Sequence, residues 1–201
     1  MRFVFYVNNF INNLVYTAPI DELVSSLIPA PPKHVLDKLK FIKYRELMIC
    51  VLYLDLKSFS RNASIYFPDL ECPFTRIYEP KNRSAKMSPT EKTCIVIEVP
   101  MGERNVKIDS TKEVVYHKIL SYLENKNLVK SEKIIDYKLV KVKSAYPVIT
   151  IDSILIIKEI KKYLSRFNNL HMIGRNSSFE YLHTHNIMER SRSLINKMVS
   201  L

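Results

Sequence analysis

The segment Leu170-His171-Met172-Ile173-Gly174-Arg175, near the carboxyl end, is the clearest local indication of the fold. Its apolar residues predict a short strand, Leu170–Ile173, that ends at Gly174. A polar loop follows, and Asn186 with Glu189 can then cap a final helix. That helix is expected to bury one apolar stripe, made of Ile187, Leu194, Ile195 and Met198.

This strand-to-helix joint has the chemistry of an anion site. A helix N-terminus exposes N–H groups that lack intrahelical partners, and Arg175 adds a fixed cation beside it. The joint therefore suits a phosphate group or an electron-rich ring oxygen. An ordinary surface joint with an arginine has the same pattern, so the residues alone leave both interpretations open.

Glycine is scarce in this chain, which has two glycines in 201 residues where ordinary usage of about 7% predicts roughly 14. Gly102 and Gly174 lie far apart in the sequence. Dinucleotide fingerprints, P-loops and nucleophile elbows all need clustered glycines at tight backbone turns. The composition therefore excludes these three kinds of site.

The overall composition predicts a globular domain with a basic surface. Apolar residues make up 47% of the chain, enough for a core, and this excludes a disordered chain. The net charge of +11 favours anionic partners, such as a phosphorylated ligand, nucleic acid or an acidic protein. A solvated lysine-rich surface would explain the same charge.

Cysteine spacing and hydropathy indicate the compartment. Cys50, Cys72 and Cys94 form neither a disulfide framework nor a zinc knuckle, so we expect a reducing cytoplasm and no metal. The uncharged run Phe3–Ile20 is interrupted by four asparagines and lacks an export signal. We therefore expect a cytoplasmic protein with no integral membrane segment.

Short apolar runs alternate with amphipathic stretches along the rest of the chain. Leu47–Leu54 is continuously apolar and predicts a central strand covered on both faces. Ser110 and Glu113 have capping-box spacing, and Asp152–Phe167 predicts a helix that buries Ile154, Ile157, Ile160, Leu164 and Phe167. Further strands are predicted at Phe3–Val7, Leu14–Thr17, Ser64–Phe67, Phe74–Tyr78, Thr93–Val99 and Ile135–Val142, and further helices at Asp21–Leu27 and around Val35–Ile42. The pattern predicts an α+β fold, α/β-like in part, with a mixed, largely antiparallel sheet flanked by helices.

Four segments, taken together, resemble one known superfamily. They are His171–Tyr181; Ala145-Tyr146-Pro147-Val148; Phe74–Ser84 with Met87-Ser88-Pro89 and Ile97–Pro100; and Leu14–Pro19. They are similar to segments of FAD-dependent amine oxidases, protoporphyrinogen oxidases and UDP-galactopyranose mutases, and they follow one another along the chain in the same order as in those proteins. The resemblance covers nearly the whole chain.

The resemblance implies a division of the chain between two functions. Residues 1–28 would end the flavin-binding domain, residues 29–143 would form the substrate-binding domain, and residues 144–201 would return to a remnant of the Rossmann-like flavin-binding domain. The family's glycine-rich βαβ unit would precede this chain. We therefore expect the carboxyl half of a flavoenzyme, whether a fragment, a truncated reading frame or a subunit of a split enzyme, with the N-terminal FAD-binding half as its partner.

Site residues follow from the same resemblance. Gly174 and Arg175 would lie near the FAD pyrophosphate, and the segment Tyr181-Leu182-His183-Thr184-His185 would lie beside the flavin ring. The resemblance also places Thr17, Ala18 and Pro19 against the cofactor, and Arg76, Tyr78 and Tyr146 in the substrate cleft.

The chain departs from the family pattern in the last of these segments. His183 and His185 replace an asparagine and an acidic residue that are common in relatives, and Ser191 replaces a smaller residue. His183, His185 and Glu189 are too few and too local to predict a metal site. No matched position supplies an evident catalytic base, which is compatible with a flavin that itself accepts hydride.

The implied activity is flavin-mediated hydride removal from a C–N or C–C bond of a small or prenyl-like molecule. The alternative within the superfamily is a UDP-galactopyranose mutase-like enzyme, since Arg76, Tyr181 and the basic charge suit a diphosphate. Outside it, a non-catalytic basic binding protein or an inactive remnant is possible. No recognition helix, RNP motif or zinc module is visible, so we expect no nucleic-acid partner.

Overall fold

The computed structural model describes residues 12–199 and divides the chain into two compact units. Unit 1 runs through Tyr44 and resumes at Tyr146, whereas unit 2 comprises Arg45–Ala145. The boundaries expected from the resemblance were 28/29 and 143/144, and the functional role of each segment stays a prediction. The strand predicted at Phe3–Val7 lies outside the described residues.

The described elements form an α+β fold, as the sequence predicts. The strands are β1 (Leu14–Tyr16), β2 (Tyr44–Leu54), β3 (Ile65–Tyr66), β4 (Arg76–Tyr78), β5 (Thr93–Pro100), β6 (Ile134–Pro147) and β7 (Leu170–Met172). The helices are α1 (Ile20–Ser25), α2 (Lys33–Leu36), α3 (Lys112–Asn125), α4 (Ile151–Leu164), α5 (Arg175–Ser178) and α6 (Thr184–Val199). Short 3-10 turns lie at Leu39–Phe41, Pro80–Asn82, Ala85–Met87 and Ser131–Lys133.

Unit 2 is built on a five-stranded sheet in the order β3-β4-β5-β2-β6. Strand β2 pairs antiparallel with β5 from Leu47 opposite Pro100 to Leu54 opposite Thr93. Helix α3 packs on one face of this sheet through Val115, Ile119 and Leu123, all of which are fully buried.

The prediction that β2 is covered on both faces holds only in part. The face in the core with α3 is fully buried and carries Met48, Cys50, Leu52 and Leu54. On the other face Leu47 is buried but Tyr53 is exposed, because successive strand residues point to opposite faces and α3 covers only one of them. The continuous apolar run therefore overstated the burial.

Unit 1 has a smaller core around the parallel pair β1 and β7, which aligns Leu14 with Leu170 and Tyr16 with Met172. Helices α1 and α4 supply most of the buried side chains, which include Ile20, Leu23, Val24, Ile157, Ile160 and Leu164. Helix α4 begins after a capping box in which the Thr150 and Ser153 side chains each bond the other residue's backbone N–H.

On two helices, fewer apolar residues are buried than the sequence pattern predicts. Ile154, predicted to be buried on α4, is 56% exposed, because it lies to one side of the face that buries Ile157 and Ile160. Helix α6 has no buried residue, and its Ile195 is exposed. An amphipathic pattern predicts which face of a helix is apolar but does not supply the surface that covers it.

Two predicted helix caps shift in position. Thr111, not Ser110, caps α3 by accepting a hydrogen bond from the Val114 N–H. Helix α6 begins at Thr184. The Asn186 side chain, inside the first turn, accepts a hydrogen bond from the N–H of His183, the residue that precedes the helix. Both changes reflect the several candidate cap residues that stand side by side at these positions.

Between residues 12 and 199, no helix combines the length and the apolar character that spanning a bilayer requires.

Candidate functional site

The turn after β7 adopts a backbone conformation that favours glycine. Gly174 has φ of 110° and ψ of 164°, a region that side-chain-bearing residues rarely occupy. The Ile173 N–H donates to the Tyr16 carbonyl at 3.0 Å, so β7 and β1 end together. A Cβ built on Gly174 would lie 3.6 Å from the Thr17 carbonyl oxygen, an ordinary contact. The backbone conformation, and not lack of space, is therefore what requires glycine here.

A half-buried tyrosine, Tyr44, supports this turn. The Tyr44 hydroxyl accepts from the Ile20 N–H at 3.3 Å and donates to the Asn176 carbonyl at 3.2 Å. Its ring packs edge-to-face against Phe179, with ring centres 5.5 Å apart. Burial, reinforced by the charge of Asp21, raises the pKa of Tyr44. The hydroxyl therefore stays protonated and holds α1 and α5 together.

A second tyrosine orders the segment after β1. The Tyr16 hydroxyl donates to the Pro19 carbonyl at 3.1 Å and closes the turn that contains Thr17 and Ala18. Burial raises the pKa of Tyr16 to about 12, and the charges of Glu22 and Asp21 add to the effect. The Thr17 carbonyl oxygen also lies next to Gly174. The structure therefore brings together two of the segments that were predicted to bind the cofactor, and their role in binding stays a prediction.

Arg175 is held in a layered arrangement with two tyrosines. Its Nη2 donates to the Leu182 carbonyl at 2.8 Å, and its guanidinium lies 4.8 Å from the centre of the Tyr146 ring. The Tyr146 ring in turn stacks on Tyr181 at 6.1 Å with an interplanar angle of 19°. No carboxylate in the described range forms an ion pair with Arg175. The cation is therefore fixed in position with its charge uncompensated.

Glu180 ties the turn to two helices, a role that the sequence analysis did not assign. Its carboxylate forms ion pairs with Lys161 of α4 and Arg190 of α6, each at 2.9 Å. Burial alone would raise the pKa of Glu180, but the hydrogen bonds from Lys161 and Arg190 outweigh it and lower the pKa. The sequence does contain an indication of this role, because Glu180 is an acidic residue in a segment that lies between two helices with basic faces.

The predicted flavin-edge segment lies at the start of α6 and is largely exposed. Tyr181 is 61% exposed, and the rings of His183 and His185 are parallel with centres 5.6 Å apart. Thr184 is the first residue of α6. Within residues 12–199, no group of three or more His, Cys, Asp or Glu side chains is arranged to hold a metal ion.

Arg76 and Tyr78, the predicted substrate residues on β4, lie in unit 2. The Arg76 guanidinium forms an ion pair with Glu98 and lies 5.3 Å from the centre of the Tyr78 ring. Burial opposes the charge of Arg76, but the Glu98 hydrogen bond outweighs it and raises the pKa of the guanidinium. Arg83 lies at the same distance from the Tyr78 ring. Arg76 is thus compensated by a carboxylate, unlike Arg175.

A buried carboxylate, Glu79, follows Tyr78 and was also missed. It is 1% exposed and accepts hydrogen bonds from the Ser60 N–H at 2.9 Å and the Thr93 hydroxyl at 2.6 Å. Phe59 N–H donates to the same carboxylate at 3.1 Å. Because these donors are distant in sequence, no local pattern could have indicated this role.

Comparison with known proteins agrees with the resemblance drawn from the four segments. A family model described as UDP-galactopyranose mutase matches residues 6–111, which is more than half of the chain. A search of curated proteins found no match.

Solved structures show the same fold. A reduced UDP-galactopyranose mutase superposes with a TM-score of 0.72 at 16% identity, and the match covers 85% of this chain and 37% of the mutase chain. A protein from Exiguobacterium sp. 255-15 described as a protoporphyrinogen oxidase has a TM-score of 0.59 at 14% identity, over 82% and 36%. The CLA-producing fatty acid isomerase from P. acnes has a TM-score of 0.59 at 14% identity, over 92% and 41%.

The chain therefore spans well under half the length of each of these proteins. These likenesses establish the fold, and the family match establishes the relationship. The chain belongs to the UDP-galactopyranose mutase family, within the superfamily of FAD-dependent, amine oxidase-like proteins.

Proposed function

We propose that this chain forms one wall of an FAD site and part of a site for a nucleoside diphosphate sugar. The other wall of the flavin site would come from a Rossmann-type segment outside residues 12–199. The observation that carries the proposal is the Arg175 guanidinium, which is held directly after a glycine-requiring turn and has no carboxylate partner within residues 12–199. The family match favours the mutase alternative over the oxidoreductase that the resemblance first implied.

The residues at the turn fit a pyrophosphate group. Gly174 lets a ligand approach the backbone closely, because no side chain projects there. Arg175 can pair with phosphate oxygens through two parallel N–H bonds, while Tyr146 and the Leu182 carbonyl hold its orientation. When bound, FAD supplies the reactive ring. The chain's own part is to bind the diphosphate and position the cofactor.

The exposed start of α6 would lie along the flavin ring in this proposal. Its first backbone N–H groups lack intrahelical partners and can stabilise negative charge on a neighbouring group. The exposed ring of Tyr181 provides a flat apolar surface beside them. These residues would orient the ring and exclude water from one side, without donating or removing a proton themselves.

Within unit 2, we propose that Arg76 and Tyr78 contact the substrate, as the resemblance implies. Arginine and tyrosine side chains suit a nucleoside diphosphate, because guanidinium binds phosphate and the aromatic ring packs on a sugar or base. The net charge of +11 would attract such a dianion.

Flavin retention tests the cofactor part of the proposal. The chain is co-expressed with the flavin-binding half of a UDP-galactopyranose mutase, and the purified complex is examined for bound yellow cofactor. We expect wild type to retain flavin and Arg175→Gln to lose most of it, since the phosphate-pairing charge is removed. Arg192→Gln, an exposed arginine on α6, is the control. A folded wild-type complex without flavin, or equal retention by Arg175→Gln, would contradict the proposal.

Protection by nucleotide tests the substrate part. Ligand at about 100 times its Kd stabilises a protein by about 2.7 kcal/mol, which raises the midpoint of thermal unfolding measurably. We expect millimolar UDP to raise the midpoint of the complex and uridine, which lacks the diphosphate, to leave it unchanged. No shift with UDP, together with net transfer of hydride to an acceptor, would favour the oxidoreductase alternative instead.

A further inference from the structure

The outer side of α4 carries an aliphatic patch that the sequence analysis placed partly in the core. Ile151 is 81% exposed, Ile154 56% and Leu155 59%. Val148 and Ile149, in the segment just before α4, are also exposed. We call these five residues the α4 patch, and all of them lie within unit 1.

Helix geometry places the patch on one continuous face with two lysines. At about 100° per residue, Ile151, Ile154 and Leu155 share a face with Lys158 and Lys162. The opposite face is the buried one, made of Ile157, Ile160 and Leu164. The outer face of α4 is therefore apolar in its first half and basic in its second half.

The two acidic residues of α4 do not lie at the centre of this face. Asp152 and Glu159 lie roughly 80–100° from Ile151 around the helix axis. Glu159 is also engaged in an ion pair with Lys38. The charge that the outer face presents is therefore positive, in keeping with the net charge of +11.

The composition of the patch favours a lipid surface over a protein partner. Protein interfaces concentrate their binding energy in Trp, Tyr and Arg, and the α4 patch contains none of these. Aliphatic side chains beside lysines are typical of helices that lie in the boundary between headgroups and acyl chains of an anionic bilayer. We propose that the α4 patch docks this chain onto a membrane surface rich in anionic phospholipid.

In this arrangement the aliphatic residues insert and the lysines contact the headgroups. Ile151, Ile154 and Leu155 would enter the apolar boundary, and Lys158 with Lys162 would remain at the phosphate level. Each lysine near an anionic surface strengthens binding about fivefold. Binding therefore weakens with added salt and falls when the lipid is neutral.

Vesicle sedimentation with the full chain tests this inference. The probes are vesicles of equimolar phosphatidylglycerol and phosphatidylcholine, with pure phosphatidylcholine vesicles as the neutral comparison. We expect wild type to sediment with the anionic vesicles only. Leu155→Glu should weaken binding roughly tenfold or more, because it replaces an inserted apolar side chain by a charge. The control is Ile195→Glu, a similarly exposed isoleucine on α6 at 58%, which should bind as wild type does.

Three results would overturn the inference: wild type that stays in the supernatant, wild type that sediments equally with neutral vesicles, or Leu155→Glu that binds as wild type does. Two further measurements distinguish other occupants. In size-exclusion chromatography, a dimer that Leu155→Glu dissociates would assign the patch to a second copy of this chain. Loss of vesicle binding when the flavin-binding half of the proposed complex is added would assign the patch to that half. None of these results depends on flavin or nucleotide binding, so the docking proposal and the proposed function fail separately.

Discussion

The two units of this protein differ in the size of the hydrophobic core that each one builds. In unit 2, residues from three different elements, Leu52, Ile97 and Ile119, are fully buried. In unit 1, α6 has no buried residue and α4 exposes the α4 patch. Parallel sheets are ordinarily covered on both faces, yet the described part of unit 1 contains only the parallel pair β1 and β7. Unit 2 thus builds the larger core, whereas unit 1 leaves apolar faces of α4 and α6 exposed.

The same contrast holds for the two arginines that the resemblance singled out. Arg76 in unit 2 has Glu98 as a counter-charge, and it therefore contributes to the sheet surface as an ion pair. Arg175 in unit 1 is bonded to a backbone carbonyl and stacked on Tyr146, so its charge remains available. A cation that is positioned but not neutralised can pair directly with an anionic ligand, whereas Arg76 would have to exchange its Glu98 partner for the ligand.

The largest expected effect is on the core of unit 2. Leu52→Ala removes a fully buried side chain from β2, an interior strand of the sheet, and should lower the free energy of unfolding by about 2–5 kcal/mol. The corresponding change in unit 1, Leu194→Ala on α6, should cost less than about 1 kcal/mol, because Leu194 is only half-buried. Urea unfolding followed by circular dichroism measures both. Equal losses of unfolding free energy in the two variants would contradict the difference between the units.

The next largest effect concerns the buried carboxylate of unit 2. Glu79→Gln replaces one acceptor oxygen by an NH₂ group that faces backbone N–H donors, and we expect a loss of about 2–3 kcal/mol. Glu91→Gln, on an exposed residue of the same unit, is the matched control and should be nearly neutral. Unchanged stability of the Glu79 variant in urea would show that the hydrogen bonds to this carboxylate are dispensable.

A glycine in each unit allows a direct comparison of backbone strain. Gly174→Ala forces a side-chain-bearing residue to φ of 110° and should cost about 1–3 kcal/mol. Gly102→Ala, at φ of 78°, imposes a similar strain in unit 2. In Gly174→Ala, the amide hydrogens of β7 should exchange faster than in wild type, and those of β5 should exchange at the wild-type rate. Faster exchange in both strands would mean that the units unfold as one.

The smallest expected effect is a pH dependence of unit 1. The pKa of Tyr16 is about 12 when folded and 10 in an unperturbed tyrosine, so the folded state holds this proton more tightly. The resulting stabilisation is fully present below pH 10 and is lost as the pH rises to about 12. Tyr16→Phe should reduce this loss in urea unfolding by the share of Tyr16, and the share of Tyr44, whose pKa burial also raises, should remain. Tyr181→Phe, on an exposed side chain, is the control. The same steep loss in Tyr16→Phe would assign it to other groups.

The sequence predicted most elements correctly wherever periodicity was strong. The run Leu47–Leu54 lies within β2, and the expected strand Thr93–Val99 is one residue shorter than β5. The turn at Gly174 was located because an isolated glycine between a strand and a polar loop is typical of a chain reversal. The errors concerned burial, as with Ile154 and Ile195, since a pattern identifies an apolar face and not what covers it.

Much of the candidate site could not be predicted, because it depends on contacts between distant segments. The Tyr44 hydroxyl joins Ile20 to Asn176, and Arg175 is oriented by the ring of Tyr146. These pairings exist only after β1 and β7 have aligned, and neither tyrosine has a local pattern that indicates its partner.

By itself, the amino-acid sequence determined the strand and helix pattern, the basic charge and the family, because these depend on residue order alone. Tertiary structure decided which cation is neutralised, which apolar face stays exposed and which hydroxyl supports the turn. The physical reason is that burial and electrostatic compensation are set by neighbours in space, and a one-dimensional pattern does not contain those distances.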